Sequence, residues 1–328
     1  MNNREVSAAV IIVNYNSSDW LARCIEGLKQ QTLAPQRIII VDNHSHDESL
    51  QALSGLDSCI EVHRLDRNIG FAAANNYAIG LDLECRWVVL LNPDAIPESS
   101  WLESLVEYAD NHADCAAVGS LMIDAVDNSW LDGIGDAYHG SGLAWRLGYG
   151  MAVESGRTID APVFSPCAAA ALYNLEVVRQ LGGFEESFFC YYEDVDLGFR
   201  IRLAGYDCGV QRSAVVYHAG SATTAKRSDF STYHGHRNMV WAYVRNMPGY
   251  LFWLYLPQHI ILNILFMLLG IWRGQGAVMW KAKMDALKGI PVAVQQRREI
   301  QRNRVVPVSK IWQAMTGSAF DWFRSRKY

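Results

Sequence analysis

Three apolar runs in the first third of the chain constrain its fold more than any other feature of the sequence. Residues 8–13, 38–41 and 87–91 are continuous stretches of Val, Ile, Leu and Ala with one Trp. Runs that are apolar at every position, not at alternate ones, fit strands of a parallel sheet covered on both faces. All three end in polar side chains: Asn14-Tyr15-Asn16, Asp42-Asn43 and Asn92-Pro93-Asp94. After the first run, Ser17, Ser18 and Asp19 precede Trp20, Leu21, Cys24, Ile25 and Leu28. That spacing predicts a helix, ended by Pro35. Asp47 and Glu48 read as the start of a second helix and residues 60–64 as a shorter third strand. Phe71 opens a helix with small residues in its first turns. This alternation predicts a doubly wound parallel α/β sheet.

Ligands of open α/β sheets gather at the C-terminal ends of strands. The three polar strand ends are therefore expected to share one edge and line a nucleotide-sized cleft. Asp94 there suits a hard cation such as Mg²⁺ or Mn²⁺, which takes oxygen ligands and bridges substrate phosphates. An Asp that starts a turn or caps the next helix is the plainer alternative. No G-x-x-x-x-G-K-[ST] and no G-x-G-x-x-G follows the first strand. Both a P-loop ATPase and a Rossmann dehydrogenase are thereby disfavoured.

A second chemical stretch is Glu193-Asp194-Val195-Asp196, preceded by Phe188, Phe189, Tyr191 and Tyr192 and followed by Arg200. Three acids at the start of a helix that runs to Leu203 suit its positive end, with Asp196 and Arg200 paired at i,i+4. One of the acids, held among aromatics, could equally serve as a general base with a pKa raised towards neutrality. A late strand ends in His218 beside Gly220, a place for a metal or phosphate contact or for an ordinary surface imidazole. His234, His236, Arg237 and Asn238 follow in a polar segment. The glycine-rich section from 118 to 164 reads as loops, either covering a substrate or merely connecting.

The chain has 328 residues, 50% of them hydrophobic, enough for one large unit or two smaller ones. Its seven cysteines are scattered and none forms C-x-x-C, as expected of free thiols in a reducing cytosol. The polar N-terminus predicts no secretory signal. Net charge is −5, yet from Arg273 onward 12 basic side chains face 3 acidic ones. An acidic body with a basic tail points to an anionic surface. Residues 250–272 carry no charge. The strongly apolar part, 260–272, is only 13 residues long, whereas a spanning helix needs about 20. An interfacial or re-entrant helix is expected, with Tyr250, Trp253, Tyr255 and Trp272 at headgroup level and Lys281, Lys283, Lys288, Arg297 and Arg298 on anionic lipid. A helical hairpin packed on the body, or a dimer interface, is the alternative. The adjacent apolar run speaks against nucleic acid as the partner of the tail.

As a set, five motifs resemble the inverting glycosyltransferases of family 2, over about residues 8 to 240. They are Val13-Asn14-Tyr15-Asn16, Val41-Asp42-Asn43, Asn68-Ile69-Gly70-Phe71-Ala72, Leu91-Asn92-Pro93-Asp94 and Glu193-Asp194-Val195-Asp196 with Arg200. The Asn-Pro-Asp variant is most similar to the bacterial rhamnosyltransferase branch. The resemblance implies a GT-A fold: a doubly wound mixed sheet in a catalytic domain over 1–245, with a helical, membrane-associating and basic region over 246–328. It implies a nucleotide-sugar donor, dTDP-L-rhamnose favoured, and a lipid-linked glycan acceptor in polysaccharide or O-antigen synthesis. The enzyme would work at the cytoplasmic face of the inner membrane, with oligomeric state left open. Asp42 would contact the pyrimidine, with Asn14, Asn68 and Asn92 lining the donor pocket. Asp94 and His218 would hold Mg²⁺ or Mn²⁺, since Asn92 replaces the first acid of the family's metal motif. Asp194 would be the catalytic base, with Glu193, Asp196 and Arg200 supporting it or meeting the acceptor. Alternatives are a UDP-sugar-dependent galactofuranosyl- or hexosaminyltransferase, a sugar nucleotidyltransferase, and a non-catalytic sugar-binding protein.

Overall fold

The structure is a computed structural model that describes residues 7–51, 58–158, 163–220 and 228–316. In chain order the first half holds β1 (Ala8–Asn14), α1 (Asp19–Lys29), β2 (Arg37–Asp42), β3 (Ile60–Arg64), α2 (Phe71–Ile79), β4 (Trp87–Leu91), β5 (Ala95–Pro97), α3 (Trp101–Asn111), β6 (Cys115–Asp124), β7 (Leu131–Gly133), β8 (Asp136–Tyr138), β9 (Ala144–Arg146) and α4 (Val153–Thr158). The second half holds β10 (Ala170–Asn174), α5 (Leu175–Gln180), α6 (Glu193–Leu203), β11 (Asp207–His218), α7 (Asp229–Asn246), α8 (Gly249–Trp272), α9 (Gly276–Arg302) and α10 (Val308–Ala314).

The main sheet runs β3-β2-β1-β4-β10-β6-β11-β5, with β7 added on β6. Strands β3, β2, β1 and β4 are parallel, as their apolar runs predict. Their side chains alternate between two cores. Val10, Ile12, Ile38 and Val89 pack on Leu21, Leu28 and Trp101 of α1 and α3. Ile11, Val13, Ile39 and Val88 pack on Ala72, Ala78, Val177 and Leu197 of α2, α5 and α6. The sheet is not parallel throughout. β10 lies antiparallel between β4 and β6. Its sequence, Ala170-Ala171-Leu172-Tyr173-Asn174, has no β-branched residue, so it lacks the signature of its neighbours.

Two further expectations are corrected. Residues 47–50, expected to start a helix, form a turn in which Asp47 accepts hydrogen bonds from the Ser49 hydroxyl at 2.6 Å and the Ser18 amide at 2.6 Å, and the rest of that expected helix, 52–57, lies outside the described residues. The 118–164 section is more than loops. It contains the long central strand β6, the strand β7 and the β8–β9 hairpin. Its glycines mark the tight turns between these short strands.

The apolar stretch is also longer in the fold than in the sequence. α8 runs 24 residues through Pro257 and is long and apolar enough to cross a membrane. Only Leu251, His259 and Gly270 of it are buried. Trp253, Ile261, Ile264, Leu265, Leu268 and Trp272 are exposed. The four C-terminal helices nonetheless share a core with the catalytic body. Val240, Tyr243, Met247, Leu251, Ala286 and Ile311 join Val195, Phe199 and Leu203 of α6. α7 ends at Asn246, whose amide donates to Asp196 of α6 at 2.7 Å. All seven cysteines are free thiols.

Candidate active site

The parallel register sets the C-terminal ends of β1 and β2 side by side, so that Asn14 pairs with Asp42 along the sheet. The Asn14 amide donates to Asp42 Oδ1, Ser45 Oγ and Ser49 Oγ, each at 3.0 Å. Ser17 donates back to Asn14 Oδ1. Next to this cluster, Asn43 donates to Asn68 Oδ1 at 3.0 Å and accepts from the Ile69 amide at 2.9 Å. The loop so held turns at Gly70, where φ is 88° and a Cβ would sit 2.6 Å from the Phe189 ring. Only glycine allows both the conformation and the approach. Asn14, Asp42 and Asn68 are thus one polar cluster at one sheet edge, with the segment before α6 packed against it.

Asn92 lies at the end of β4, where its amide N–H donates to Ala169 O at 2.8 Å. Asp94, two residues on, is buried and approaches His218 Nε2 at 3.3 Å. His218 is brought there by the pairing of β11 with β5, which sets His218 opposite Ala95. Its Nδ1 meets Asp132 Oδ2 at 2.8 Å, and Asp132 in turn receives Arg146 at 2.7 Å. Burial pushes the His218 imidazole down, but Asp132 and Asp94 outweigh it and lift it to about 9, so the site draws positive charge.

Those residues fit a divalent cation. His218 Nε2 is buried without a hydrogen bond and faces a carboxylate oxygen. Asp132 on Nδ1 supplies the outer-shell partner that fixes the tautomer of a metal-binding imidazole. Among the described residues no group of three or more His, Cys, Asp or Glu could hold a metal. Two protein ligands suit an ion that takes its remaining oxygens from substrate phosphates and water.

The acidic cluster divides into unlike parts. Glu193 and Asp194 open α6 after Phe189, Tyr191 and Tyr192, all three with φ between 67 and 70°. Left-handed backbone at three non-glycine residues is strain that needs outside support. Asn238 of α7 supplies it by donating to the carbonyls of Phe188, Cys190 and Tyr191 at 2.9, 3.0 and 2.7 Å. Arg237 adds bonds to Ser187 and Phe188. Asp194 accepts from the Ala168 amide at 3.2 Å, one residue from the carbonyl that Asn92 bonds. Asp194 and the end of β4 therefore flank one strand start. Burial raises the Asp194 carboxyl against the hydrogen bond from Ala168 and the charge of Arg146. Glu193 is raised well above the carboxylate range by burial and by Asp194, and its Oε2 has no hydrogen bond.

Asp196 points elsewhere. It is fully buried, 2.8 Å from Arg200 Nε and 3.5 Å from Arg245 Nε. Arg200 continues to the carbonyls of Leu181 and Gly183, each at 2.8 Å. Burial alone would raise Asp196, but Arg245 and Arg200 outweigh it and hold the carboxyl low. These two residues are a structural pair that ties α6 to α7 and the 181–183 turn.

Asp132, Asp136, Arg146 and Asn238 belong to the site and escape a reading of the sequence. Asp136 is pushed up to about 7 by burial and by Asp194. Arg146 lies 2.7 Å from Asp132 and 4.0 Å from Asp136, so one guanidinium joins the histidine pair to the base. Their only signal is two acids spaced among the glycines of the 118–164 section. Asn238 sits in the polar segment noted after His218.

Over residues 9–182 the sequence matches glycosyl transferase family 2. It is 26% identical over 237 residues to an N-acetylglucosaminyl-diphospho-decaprenol L-rhamnosyltransferase of Mycobacterium tuberculosis, covering 66% of this chain and 77% of that one. It is 27% identical over 230 residues to the O-antigen chain rhamnosyltransferase RfbN of Salmonella typhimurium, covering 68% and 69%. Among solved structures, the mannosyltransferase PcManGT of Pyrobaculum calidifontis, in complex with GDP-Man and Mn²⁺, superposes with a TM-score of 0.55 at 15% identity. That superposition covers 94% of this chain and 87% of that one. The mixed sheet is that of a GT-A fold, its polar strand ends carry the motifs noted above, and the chain belongs to glycosyl transferase family 2.

Proposed function

We propose that this glycosyltransferase moves L-rhamnose from dTDP-L-rhamnose onto a lipid-linked glycan acceptor, with inversion at the anomeric carbon. The observation that carries the reading is the placement of Asp194. It is a half-buried carboxylate with a raised pKa, bonded to the Ala168 amide next to the Ala169 carbonyl that Asn92 meets. The rhamnosyltransferase relatives favour the sugar, and one of them is named for an N-acetylglucosaminyl-diphospho-decaprenol acceptor. A pyrimidine contact through Asp42 and Asn14 suits uracil as well as thymine, so a UDP-sugar donor is the second reading.

In this mechanism Asn14, Asp42 and Asn68 hold the nucleotide, and Asp94 and His218 hold Mg²⁺ or Mn²⁺. A cation bound there supplies positive charge beside the departing diphosphate. Asp194 accepts the proton of the acceptor hydroxyl as its oxygen bonds to the anomeric carbon. The anomeric C–O bond breaks at the same time, and its electron pair leaves with the diphosphate. One displacement with one base inverts the centre, so a second carboxylate nucleophile is not required. Arg146 keeps Asp132 and Asp136 in place between the two poles.

Purified protein given a panel of dTDP-, UDP- and GDP-sugars with a lipid-linked acceptor should release nucleoside diphosphate fastest from dTDP-L-rhamnose. No release from any donor with Mg²⁺ or Mn²⁺ present would overturn the reading. Asp94→Ala should weaken Mn²⁺ binding, read by calorimetry with nucleoside diphosphate present, by about 10-fold or more. Unchanged binding would remove Asp94 from the site.

The apolar face of α8 and the basic side chains of α9 support a reading in which the enzyme meets its acceptor's lipid at one surface, taken as the cytoplasmic face of the inner membrane. The body over 1–245 and the helices over 246–328 then act as one unit. Charging that face by Ile261→Glu, Leu265→Glu and Leu268→Glu alters exposed positions only. The triple variant should fold and move from the membrane pellet to the supernatant. Continued pelleting would refute the surface.

A further inference from the structure

A cavity of about 270 Å³ opens between α7, the C-terminal half of α8, the start of α9 and the β8–β9 hairpin. Its inner end is formed by Tyr192 and Ala144. These residues are joined, since the Ala144 amide donates to the Tyr192 hydroxyl at 3.1 Å, and Tyr192 directly precedes Glu193 and Asp194. Phe266, Leu269 and Met279 give it an apolar wall, and Arg273 stands at the rim.

Gly235 also lines this cavity, in the interior of α7. A glycine inside a helix costs about 1 kcal/mol relative to alanine, so it needs a reason. Packing is not the reason, because a Cβ at Gly235 would meet nothing within 4 Å. Gly289 of α9 differs, since a Cβ there would sit 2.5 Å from the Trp241 ring. The missing side chain at 235 leaves open space at a residue that lines the cavity. Beside it, His236 packs its ring on Phe266 at 4.8 Å and keeps a buried Nδ1 without a hydrogen bond.

Two features outside the cavity continue it. Arg273 has no ion-pair partner among the described residues. It follows Leu268, Ile271 and Trp272, which are 58, 59 and 81% exposed. A ligand lying here would meet the base end at Tyr192, a free cation at the rim and an apolar helix face beyond.

We propose that this cavity receives the acceptor as a lipid-linked sugar phosphate, its sugar towards Tyr192 and Asp194, its phosphate at Arg273 and its hydrocarbon chain along α8. The assignment rests on the glycosyl-transfer reading above and adds to it the place and polarity of the acceptor. Gly235 is the residue that keeps the entrance open.

The test uses the full chain in detergent micelles, a nucleotide-sugar donor and a synthetic polyprenyl-diphosphate-linked N-acetylglucosamine as acceptor. Gly235→Leu fills the cavity, and its Tm should match or exceed that of the parent. Its kcat/KM for the lipid-linked acceptor should fall by about 10- to 200-fold, the scale on which pocket-filling groups discriminate, while donor KM and slow donor hydrolysis are unchanged. Gly235→Ala should lose far less. Arg273→Glu, on the exposed rim, should raise the acceptor KM about tenfold, the equivalent of one lost charge contact of ~1.4 kcal/mol. A Gly235→Leu protein with the parent's acceptor kcat/KM, or an Arg273→Glu protein with the parent's acceptor KM, would overturn the assignment. A parent that neither binds nor hydrolyses any nucleotide-sugar would instead sink the glycosyl-transfer reading. The two failures are therefore distinct.

Discussion

Asp194→Asn should fold like the parent, bind nucleotide-sugar with the same affinity and lose about 10²- to 10⁴-fold in kcat, the range that general base catalysis supplies. The amide keeps the size of the side chain, and its one oxygen can keep one of the two bonds that the Ala168 and Val195 amides donate to the separate Asp194 oxygens at 3.2 and 2.8 Å. What it loses is the ability to take a proton. Glu193→Gln is the control. Burial and the neighbouring Asp194 raise the Glu193 carboxyl well above its ordinary range, which favours the protonated form. A protonated acid cannot serve as base, so Glu193→Gln should retain most of kcat. If Glu193→Gln is the dead variant and Asp194→Asn the live one, the roles are reversed.

The pH profile follows from the same groups. Asp194 must be ionised to act, and its pKa is raised by burial. Activity should therefore fall on the acid side at a pH above the usual carboxylate value of about 4. Asp136 stands at about 7 and is coupled to Asp194 by like charge. Burial and the charge of Asp194 lift Asp136, so Asp194 ionises first beside a protonated neighbour, and Asp136→Asn should leave the acid limb in place. A limb that moves to lower pH would show that Asp136 is already charged where Asp194 titrates. The linked stability has the opposite sense. A carboxyl raised in the folded state stabilises the fold when protonated, and that contribution is lost as pH rises through the folded value.

The largest effect on stability is expected from Asp196→Asn, about 3–5 kcal/mol, seen as a fall in Tm of roughly 10 °C. Asp196 is fully buried and answers two buried cations, Arg200 at 2.8 Å and Arg245 at 3.5 Å. Neutralising it leaves both guanidinium groups without their shared counter-charge. Arg245 keeps Glu185 at 2.7 Å, and Arg200 keeps two carbonyls, which holds the loss below that of two bare charges. Asp196 is held below its ordinary range, so its contribution is present above pH ~4 and lost as pH falls through the lower folded value. A small loss of stability with a large loss of kcat would place Asp196 in the chemistry instead.

The parts of this protein that are legible in its residues are those in which one local pattern has one physical outcome. The runs at 8–13, 38–41 and 87–91 must be buried on both faces, so they become the parallel strands β1, β2 and β4. Their polar ends must then meet at one edge, and Asn14, Asp42, Asn68 and Asp94 do lie there. The acids at 193–196 mark a helix start, and α6 begins at Glu193. Even the pairing of Asp196 with Arg200 follows from i,i+4 spacing.

Tertiary structure alone decided which of those acids would be used and by what they are held. Asp194 and Asp196 are two residues apart in one helix, yet the helix turns one towards Ala168 and the other into Arg200 and Arg245. Local spacing gives Asp196 its Arg200, but the contact of Asp194 and the second cation of Asp196 lie 26 and 49 positions away. Asp132, Asp136 and Arg146 come to the site by the same route. The β8–β9 hairpin and β7 are too short to show a period, and only the pairing of β7 with β6 and the bridge from Asp136 to Ser165 bring them to the site. Asn238 matters because three strained carbonyls happen to fall within reach of one amide. Local sequence sets backbone shape and burial, which depend on neighbours in the chain. Charge pairing and strain relief depend on neighbours in space, and these exist only once the sheet, its hairpin and the C-terminal helices have closed on one another.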